Sequence, residues 1–150
     1  MVKSYDFRKA PAHLIRRTHQ IAMALFMEES ADADITPVQF AVLNALMDEP
    51  GQDQVSLSAR VAFDAATSGS VIGRLEAKGW VRRQPDEHDR RRKRLWVTSA
   101  GCAVVAQVKR GAAKTQRRLL APLDAQERKH LVALLGKVVD GHQGLDPFRR

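Results

Sequence analysis

The chain reads as a run of helical stripes interrupted once by two alternating segments. Across residues 7–29 apolar positions return every three or four residues: Leu14, Ile15, Ile21, Ala22, Leu25 and Phe26, with Thr18 on the same stripe. That spacing predicts an amphipathic helix, and Pro11 suits its first turn. The stretch SADAD ends it. In ITPVQF, Thr36 is an N-cap, Pro37 fits the first helical position, Gln39 completes a capping box, and Ile35 can staple onto the helix that follows. Val38, Val42, Leu43, Leu46 and Met47 form the inner face of that helix, and DEPG at 48–51 stops it. A short helix is expected over 57–63, with Ser56 as its cap and Leu57 and Val61 one turn apart. Asp64 opens a further helix over 65–78, which Gly79 terminates. Two helices joined by so tight a turn predict a helix-turn-helix.

The period then changes. WVRRQ at 80–84 and RLWVT at 94–98 are short extended runs on either side of an arginine-rich loop, the pattern of a β-hairpin with a long tip. Helical spacing resumes after Thr98 and lasts to about residue 120. Pro122 interrupts it, Asp124 and Glu127 form a second capping signature, and Leu131, Leu134, Leu135 and Val138 carry a last helix. The tail GHQGLDPFRR is irregular. The expected fold is therefore mainly α with a small β-wing. A winged helix-turn-helix over about 36–100 is bracketed by helices over about 7–30 and 99–145, in one domain spanning 1–150.

Charge changes this picture more than composition does. Twenty-five basic residues against 17 acidic leave +8, an excess that bears on polyanion binding and solubility, not on fold. No apolar run approaches the roughly 18–20 residues of a membrane span, so no membrane partner is expected. MVKSYDFRKA lacks the charged-then-apolar order of a secretory signal. One cysteine, Cys102, cannot make an internal disulfide, and the expected location is the cytoplasm.

The densest charge lies in residues 82–94, which hold seven basic residues and three acids. A flexible basic tail would neutralise phosphates without register. Strands pinned by Trp80, Val81, Leu95 and Val97 can instead aim an arginine at a narrow minor groove, where the potential is deep. Arg90, Arg91 and Arg92 are the candidate DNA contacts. Asp89 can accept the guanidinium of Arg91 or a neighbour and fix its rotamer; alternatively Asp86, Glu87 and Asp89 simply solvate the loop. In the preceding helix, Ser68, Val71, Ile72 and Leu75 lie toward the core, and Ala65, Ala66, Gly69, Ser70, Gly73 and Arg74 face outward. Thr67, Ser68 and Ser70 are counted as candidate contacts to phosphate or base edges, with Arg74 the strongest. Each glycine inside a helix costs about 1 kcal/mol relative to alanine. Either the helix backbone approaches DNA closely there, or another helix of the same subunit packs against Gly69 or Gly73. With so few long outward side chains, shape readout by the wing is expected to carry much of the specificity.

PDEHDRRRKRLWVTSAG resembles the wing signature of MarR-type transcriptional regulators: an aspartate, two residues, Asp-Arg-Arg, a few variable positions, a strand, then Thr-x-x-Gly. Asp86, Asp89, Arg90, Arg91, Thr98 and Gly101 fall on that pattern. LSARVAFDAATSGSVIGRLEAKGWVRR is similar to the family's helix-turn-helix in length and apolar positions, with Leu57, Val61, Ile72, Leu75, Gly79, Val81 and Arg83 aligning. Glu87 replaces the usual proline of the wing, and the long residues often seen on the recognition helix are absent. The resemblance implies a homodimer whose first and last helices interlock. It implies two winged helices on a palindromic double-stranded DNA site, with half-sites about one helical turn, near 34 Å, apart. It also implies Arg91 as the wing-tip arginine and a small ligand that alters DNA affinity. HLIRRTHQIAMALFMEE with ITPVQFAVLNAL looks more narrowly like regulators of aromatic-acid breakdown, including the repressor group for nicotinate catabolism that responds to a hydroxylated nicotinate.

On that resemblance the first helix supplies the effector site. It carries His13, Arg16, Arg17, His19 and Gln20, with His13 and Arg17, and Arg16 and Gln20, one turn apart. An arginine fork suits a carboxylate and histidine suits a ring hydroxyl or nitrogen, so a small aromatic carboxylate fits, with Phe40 stacking on it. The same charges also suit a solvated or inter-subunit face. Cys102 is expected to be a mostly buried apolar residue, with a redox sensor as the other reading. The histidines, with Glu28 and Glu29, show no zinc-ligand spacing. Neither metal nor cofactor is expected, and a metal-responsive regulator stays an alternative. No Ser/His/Asp set, phosphate-cradling glycine loop or carboxylate pair points to an enzyme. The competing reading is a nucleoid or other nucleic-acid-binding protein that uses its charge without sequence preference.

Overall fold

The computed structural model describes residues 6–142 and 144–145. A 3-10 turn over Phe7–Lys9 precedes α1 (Pro11–Glu29), so the proline opens the α-helix proper. Then follow α2 (Pro37–Asp48), β1 (Gln52–Asp53), α3 (Gln54–Val61), α4 (Ala65–Ala77), β2 (Val81–Pro85), β3 (Lys93–Val97), α5 (Ser99–Leu119) and α6 (Ala125–Asp140). Of the tail expected to be irregular, 141, 142 and 144 form turns, and 143 and 146–150 lie outside the described residues.

The capping chemistry forms as the sequence predicts. Thr36 Oγ1 accepts the Gln39 N–H at 3.2 Å and Gln39 Oε1 accepts the Thr36 N–H at 3.1 Å. At the end of α4 the Trp80 N–H reaches the Leu75 carbonyl and the Gly79 N–H the Glu76 carbonyl, both at 2.9 Å. This leaves Gly79 at φ +71, a left-handed residue closing the helix. The helix-turn-helix turn is closed in the same way, but its left-handed residue is Ala62, at φ +56.

Four expectations need correction. The cap of α3 is Asp53, whose carboxylate accepts the Ser56 N–H at 2.9 Å, so the helix starts three residues before the expected 57 and Ser56 lies inside it. Met47 is exposed, because α2 buries the stripe Gln39, Val42, Leu43 and Leu46, and position 47 falls off its edge. Cys102 is exposed for the same reason: α5 turns Gly101, Val104, Val105 and Val108 inward. The hairpin also has a third strand. β1 pairs with β3, giving the antiparallel order β1-β3-β2 with Gln52 opposite Leu95 and Val81 opposite Val97. Two residues show no alternation to read. Gln52 holds the strand in place, its buried amide donating to the Ala45 and Glu49 carbonyls at the end of α2 (3.1 and 2.9 Å).

The core lies within the winged helix, where Val42, Leu43, Leu46, Leu57, Ile72, Leu75 and Leu95 have almost no exposure. α5 joins this unit to α1 through two close approaches. At its start, Thr98 caps the helix (Gly101 N–H to Thr98 Oγ1, 3.1 Å) while its hydroxyl donates to the Gly79 carbonyl at 2.7 Å. A Cβ on Gly101 would lie 2.3 Å from the Trp80 carbonyl oxygen. Further along, a Cβ on Gly111 would lie 2.4 Å from the Glu29 carbonyl oxygen. Lys114 and Arg118 then grip the Glu29 carboxylate at 2.8 and 2.6 Å and hold its pKa below the usual range. By contrast, α6 has no buried residue: Leu134 is 61% exposed and Val139 68%. Leu14 and Ile21 on α1 are about half exposed, at 52% and 48%.

Gly101→Ala should destabilise the fold by about 1–3 kcal/mol, the usual range for overpacking, because backbone rather than a flexible side chain stands in the way. Urea denaturation against wild type measures it; an unchanged midpoint would show that the start of α5 is free to shift.

Candidate nucleic-acid interface

The wing tip is organised by Asp86, a carboxylate only 8% exposed in a loop otherwise open to solvent. Its Oδ1 accepts the His88 N–H at 2.8 Å and the Asp89 N–H at 3.1 Å, and its Oδ2 accepts Arg94 Nε at 2.5 Å. Arg94 in turn donates from Nη1 to the Gly51 carbonyl at 3.0 Å, tying the tip to the turn before β1. The loop closes with the Asp86 N–H on the Arg92 carbonyl and the Arg92 N–H on the Asp89 carbonyl. The His88 N–H, the Arg94 guanidinium and the Asp89 N–H together lower the Asp86 pKa from 3.8 to about 2.

The arginines divide by partner. Arg82 lies over the Trp96 ring at 5.5 Å, Arg83 pairs with Glu76 at 3.0 Å, and Arg94 belongs to Asp86. Arg90 and Arg91 are exposed, and their guanidinium groups have no hydrogen-bond or ion-pair partner among the described residues. Arg92 is exposed beside them, its charge felt by Asp53. Asp89 does not clamp an arginine side chain as expected. Its Oδ1 accepts the backbone N–H of Arg91 at 3.0 Å, since the tight tip turn brings main chain rather than guanidinium within reach. The tip thus offers fixed backbone and free positive charge, the arrangement that suits a phosphate-lined groove.

On α4, Thr67, Ser70 and Arg74 are exposed as expected. Ser68 is not: it is 1% exposed, on the stripe with Val71, Ile72 and Leu75, and its hydroxyl has no partner among the described residues. The helix turns it inward, which removes it from any DNA-facing surface. The two glycines differ. A Cβ on Gly69 would approach the Gln54 side chain at 3.2 Å, whereas one on Gly73 would meet nothing within 4 Å. Internal packing therefore gives no reason for glycine at 73.

Of the candidate effector residues, the structure brings two together. His19 and Phe40 line a cavity of about 230 Å³ between α1, α2 and α5, with Ala22, Met23, Phe26, Pro37, Ala112, Thr115 and Gln116. The Phe26 and Phe40 rings lie 5.4 Å apart. His13, Arg16, Arg17 and Gln20 do not line it. Arg16 lies 3.4 Å from His13 Nδ1, Arg17 donates to Gln20 at 3.3 Å, and His13 meets Phe7 edge-on at 5.1 Å. Thr115 and Gln116 come from the far side of the chain, and only the crossing of α5 over α1 brings them here. Among the described residues no group of His, Cys, Asp and Glu could hold a metal ion, and no helix is long and apolar enough to cross a membrane.

Because the folded Asp86 pKa is depressed, the stability this carboxylate confers is fully present above the unfolded value of about 3.9 and is lost as pH falls toward about 2. Wild-type stability should drop across that window, and Asp86→Asn should show a smaller drop there together with faster amide exchange over 86–94 at neutral pH. Identical acid profiles for the two proteins would remove Asp86 from its organising role.

Comparison with known proteins agrees with this geometry. A model of the MarR family matches residues 33–92. The HTH-type transcriptional repressor NicR of Pseudomonas putida is 31% identical over 139 residues, 93% of this chain and 88% of that protein. BpsR of Bordetella bronchiseptica, whose DNA binding is regulated by 6-hydroxynicotinic acid, superposes with a TM-score of 0.86 at 33% identity, covering 91% of this chain and 98% of that one. A cysteine-to-serine variant of Escherichia coli MarR complexed with operator DNA superposes with a TM-score of 0.83 at 29% identity, covering 91% and 99%. With the wing, the helix-turn-helix and these relatives in agreement, the chain belongs to the MarR family of DNA-binding, winged helix-turn-helix transcriptional regulators.

Proposed function

We propose that two copies of this chain occupy a palindromic promoter site, repress transcription there, and are released by a small aromatic acid, with a hydroxylated nicotinate as the leading candidate. The observation that carries this reading is the wing: unpaired Arg90 and Arg91 on a tip whose backbone is held by Asp86 and Asp89. Such a tip enters a minor groove with little ordering left to do, while α4 of the same subunit enters the adjacent major groove.

Exposed apolar faces support the dimer. Leu14 and Ile21 on α1 and Leu134, Leu135, Val138 and Val139 on α6 stand uncovered in one chain. Covering such a surface contributes about 25 cal/mol per Å² of apolar area. The segments over about 7–30 and 99–145 then act as dimerisation helices that set the distance between two winged helices. The cavity containing His19 and Phe40 lies where those helices meet α2. A single-ring acid suits it, since drug-sized ligands use about 300–1,000 Å³. Arg16 lies one turn before His19 on the same helix, a place from which it can reach a carboxylate. A ligand that binds one spacing of the heads better than the other shifts the population and releases DNA. NicR is named a repressor, and BpsR is regulated by 6-hydroxynicotinic acid; both favour this reading.

Two measurements test it. Titrated against a promoter palindrome and a random duplex at several salt concentrations, the protein should prefer the palindrome by roughly 10³-fold or more. Arg91→Ala should weaken binding and lower the salt slope by about 0.9 for each phosphate no longer neutralised; equal affinity for both duplexes marks a coating protein instead. In a thermal-shift assay, 6-hydroxynicotinic acid should stabilise wild type but not His19→Ala, and stabilisation retained in the variant would place the effector elsewhere.

A further inference from the structure

We infer that α4 of this chain positions the protein in the major groove but reads almost no bases there, so that operator choice rests on minor-groove shape beneath the wings and on Arg74 alone among the α4 side chains. The inference rests on the reading that two copies occupy a palindrome, and it adds which residues choose the sequence.

Over 65–74 the exposed residues of α4 are Ala65, Ala66, Thr67, Ser70, Gly73 and Arg74. Direct readout needs side chains that reach base edges and present a defined donor–acceptor pattern. Three of these six have no polar side-chain atom. Thr67 is engaged locally, its hydroxyl donating to Asp64 Oδ2 at 2.6 Å and its N–H to Asp64 Oδ1 at 2.8 Å. That bond takes up its only side-chain proton and leaves lone pairs that repel phosphate and base acceptors. Ser68, the other hydroxyl on this turn, is buried. Ser70 has a short hydroxyl that both donates and accepts, so it pairs with any base. Arg74 is exposed, has no partner among the described residues, and is the one side chain able to hold a guanine bidentately.

Gly73 makes the same point from the backbone. Nothing within 4 Å would meet a Cβ there, so the missing side chain serves no packing inside the subunit. It bares the main chain one residue before Arg74 and lets the helix lie deep in the groove. Deep seating without base contacts fixes depth and register and leaves selection to the shape of the duplex. The wing supplies the complementary half. Its free cations, Arg90 and Arg91, extend from a tip held by Asp86, and narrow A·T-rich minor grooves attract arginine without reading individual bases.

The test uses a duplex enriched from a randomised library by repeated selection on the wild-type protein. At each A·T pair two single substitutions are made. Inosine·cytosine alters the major-groove edge and keeps the minor-groove edge; 2,6-diaminopurine·thymine keeps the major-groove edge and adds a minor-groove amino group. A good bidentate base contact is worth about 5- to 150-fold. Inosine·cytosine should therefore change affinity by less than about threefold at every position, while 2,6-diaminopurine in the outer flanks should weaken binding by about tenfold or more. 7-Deazaguanine should matter at a single guanine per half-site, and only while Arg74 is present. Selection repeated with Thr67→Ala/Ser70→Ala should return the same consensus. A larger loss from inosine·cytosine than from 2,6-diaminopurine, or a new consensus from the double variant, overturns the inference and leaves the operator reading standing. Failure of wild type to enrich any duplex overturns both.

Discussion

One carboxylate holds the wing tip of this molecule together. Asp86 gathers two backbone N–H groups of the tip and the Arg94 guanidinium, and Arg94 passes the constraint to the Gly51 carbonyl. It sits within the most basic stretch of the chain, the seven basic residues of 82–94, and its two backbone bonds and one ion pair give the tip a fixed turn from which Arg90 and Arg91 are displayed. The depressed pKa of Asp86 reflects the same bonds, because every group that orders the tip also favours the ionised form.

From that point the molecule grades from closed to open. The winged helix buries its apolar residues almost completely. The long α5 is locked to it at Gly101 and to α1 at Gly111, two places where a side chain would strike a carbonyl oxygen. The charge clamp of Glu29 with Lys114 and Arg118 reinforces the second crossing. Beyond those locks, α6 and the outer side of α1 leave leucine, isoleucine and valine in water. A well-packed head thus carries a pair of helices whose apolar faces are bare in one chain. The cavity with His19 and Phe40 lies at the boundary between the two regimes.

The interface chemistry is a sorting of arginines. Those bound to Trp96, Glu76 and Asp86 stiffen the sheet; those left without partners are free for a polyanion. A count of basic residues cannot separate these roles, since all seven look alike in sequence.

Local rules were legible in the chain alone. Thr36-Pro37-Gln39, Asp124 with Glu127 and the closing Gly79 each specify a helix end within a few residues, so the order of helices and the hairpin could be read directly. His19 and Phe40 were legible only as candidates, one from the polar set on α1 and one as an aromatic on α2; that they line one cavity comes from packing. What the sequence could not determine depends on contacts between distant segments. β1 exists because Gln52 reaches the end of α2 and Leu95 offers a free edge. Asp86 rather than Asp89 takes the guanidinium because of how the tip folds back, and Thr115 and Gln116 reach the cavity only through the crossing at Gly111. By itself the sequence determined the order of the helices, most of their ends and the cationic hairpin, because those follow from bonds spanning three or four residues. The tertiary structure alone decided which charges are paired, which apolar faces remain open and which side chains meet around the cavity, because those depend on packing between segments far apart in the chain.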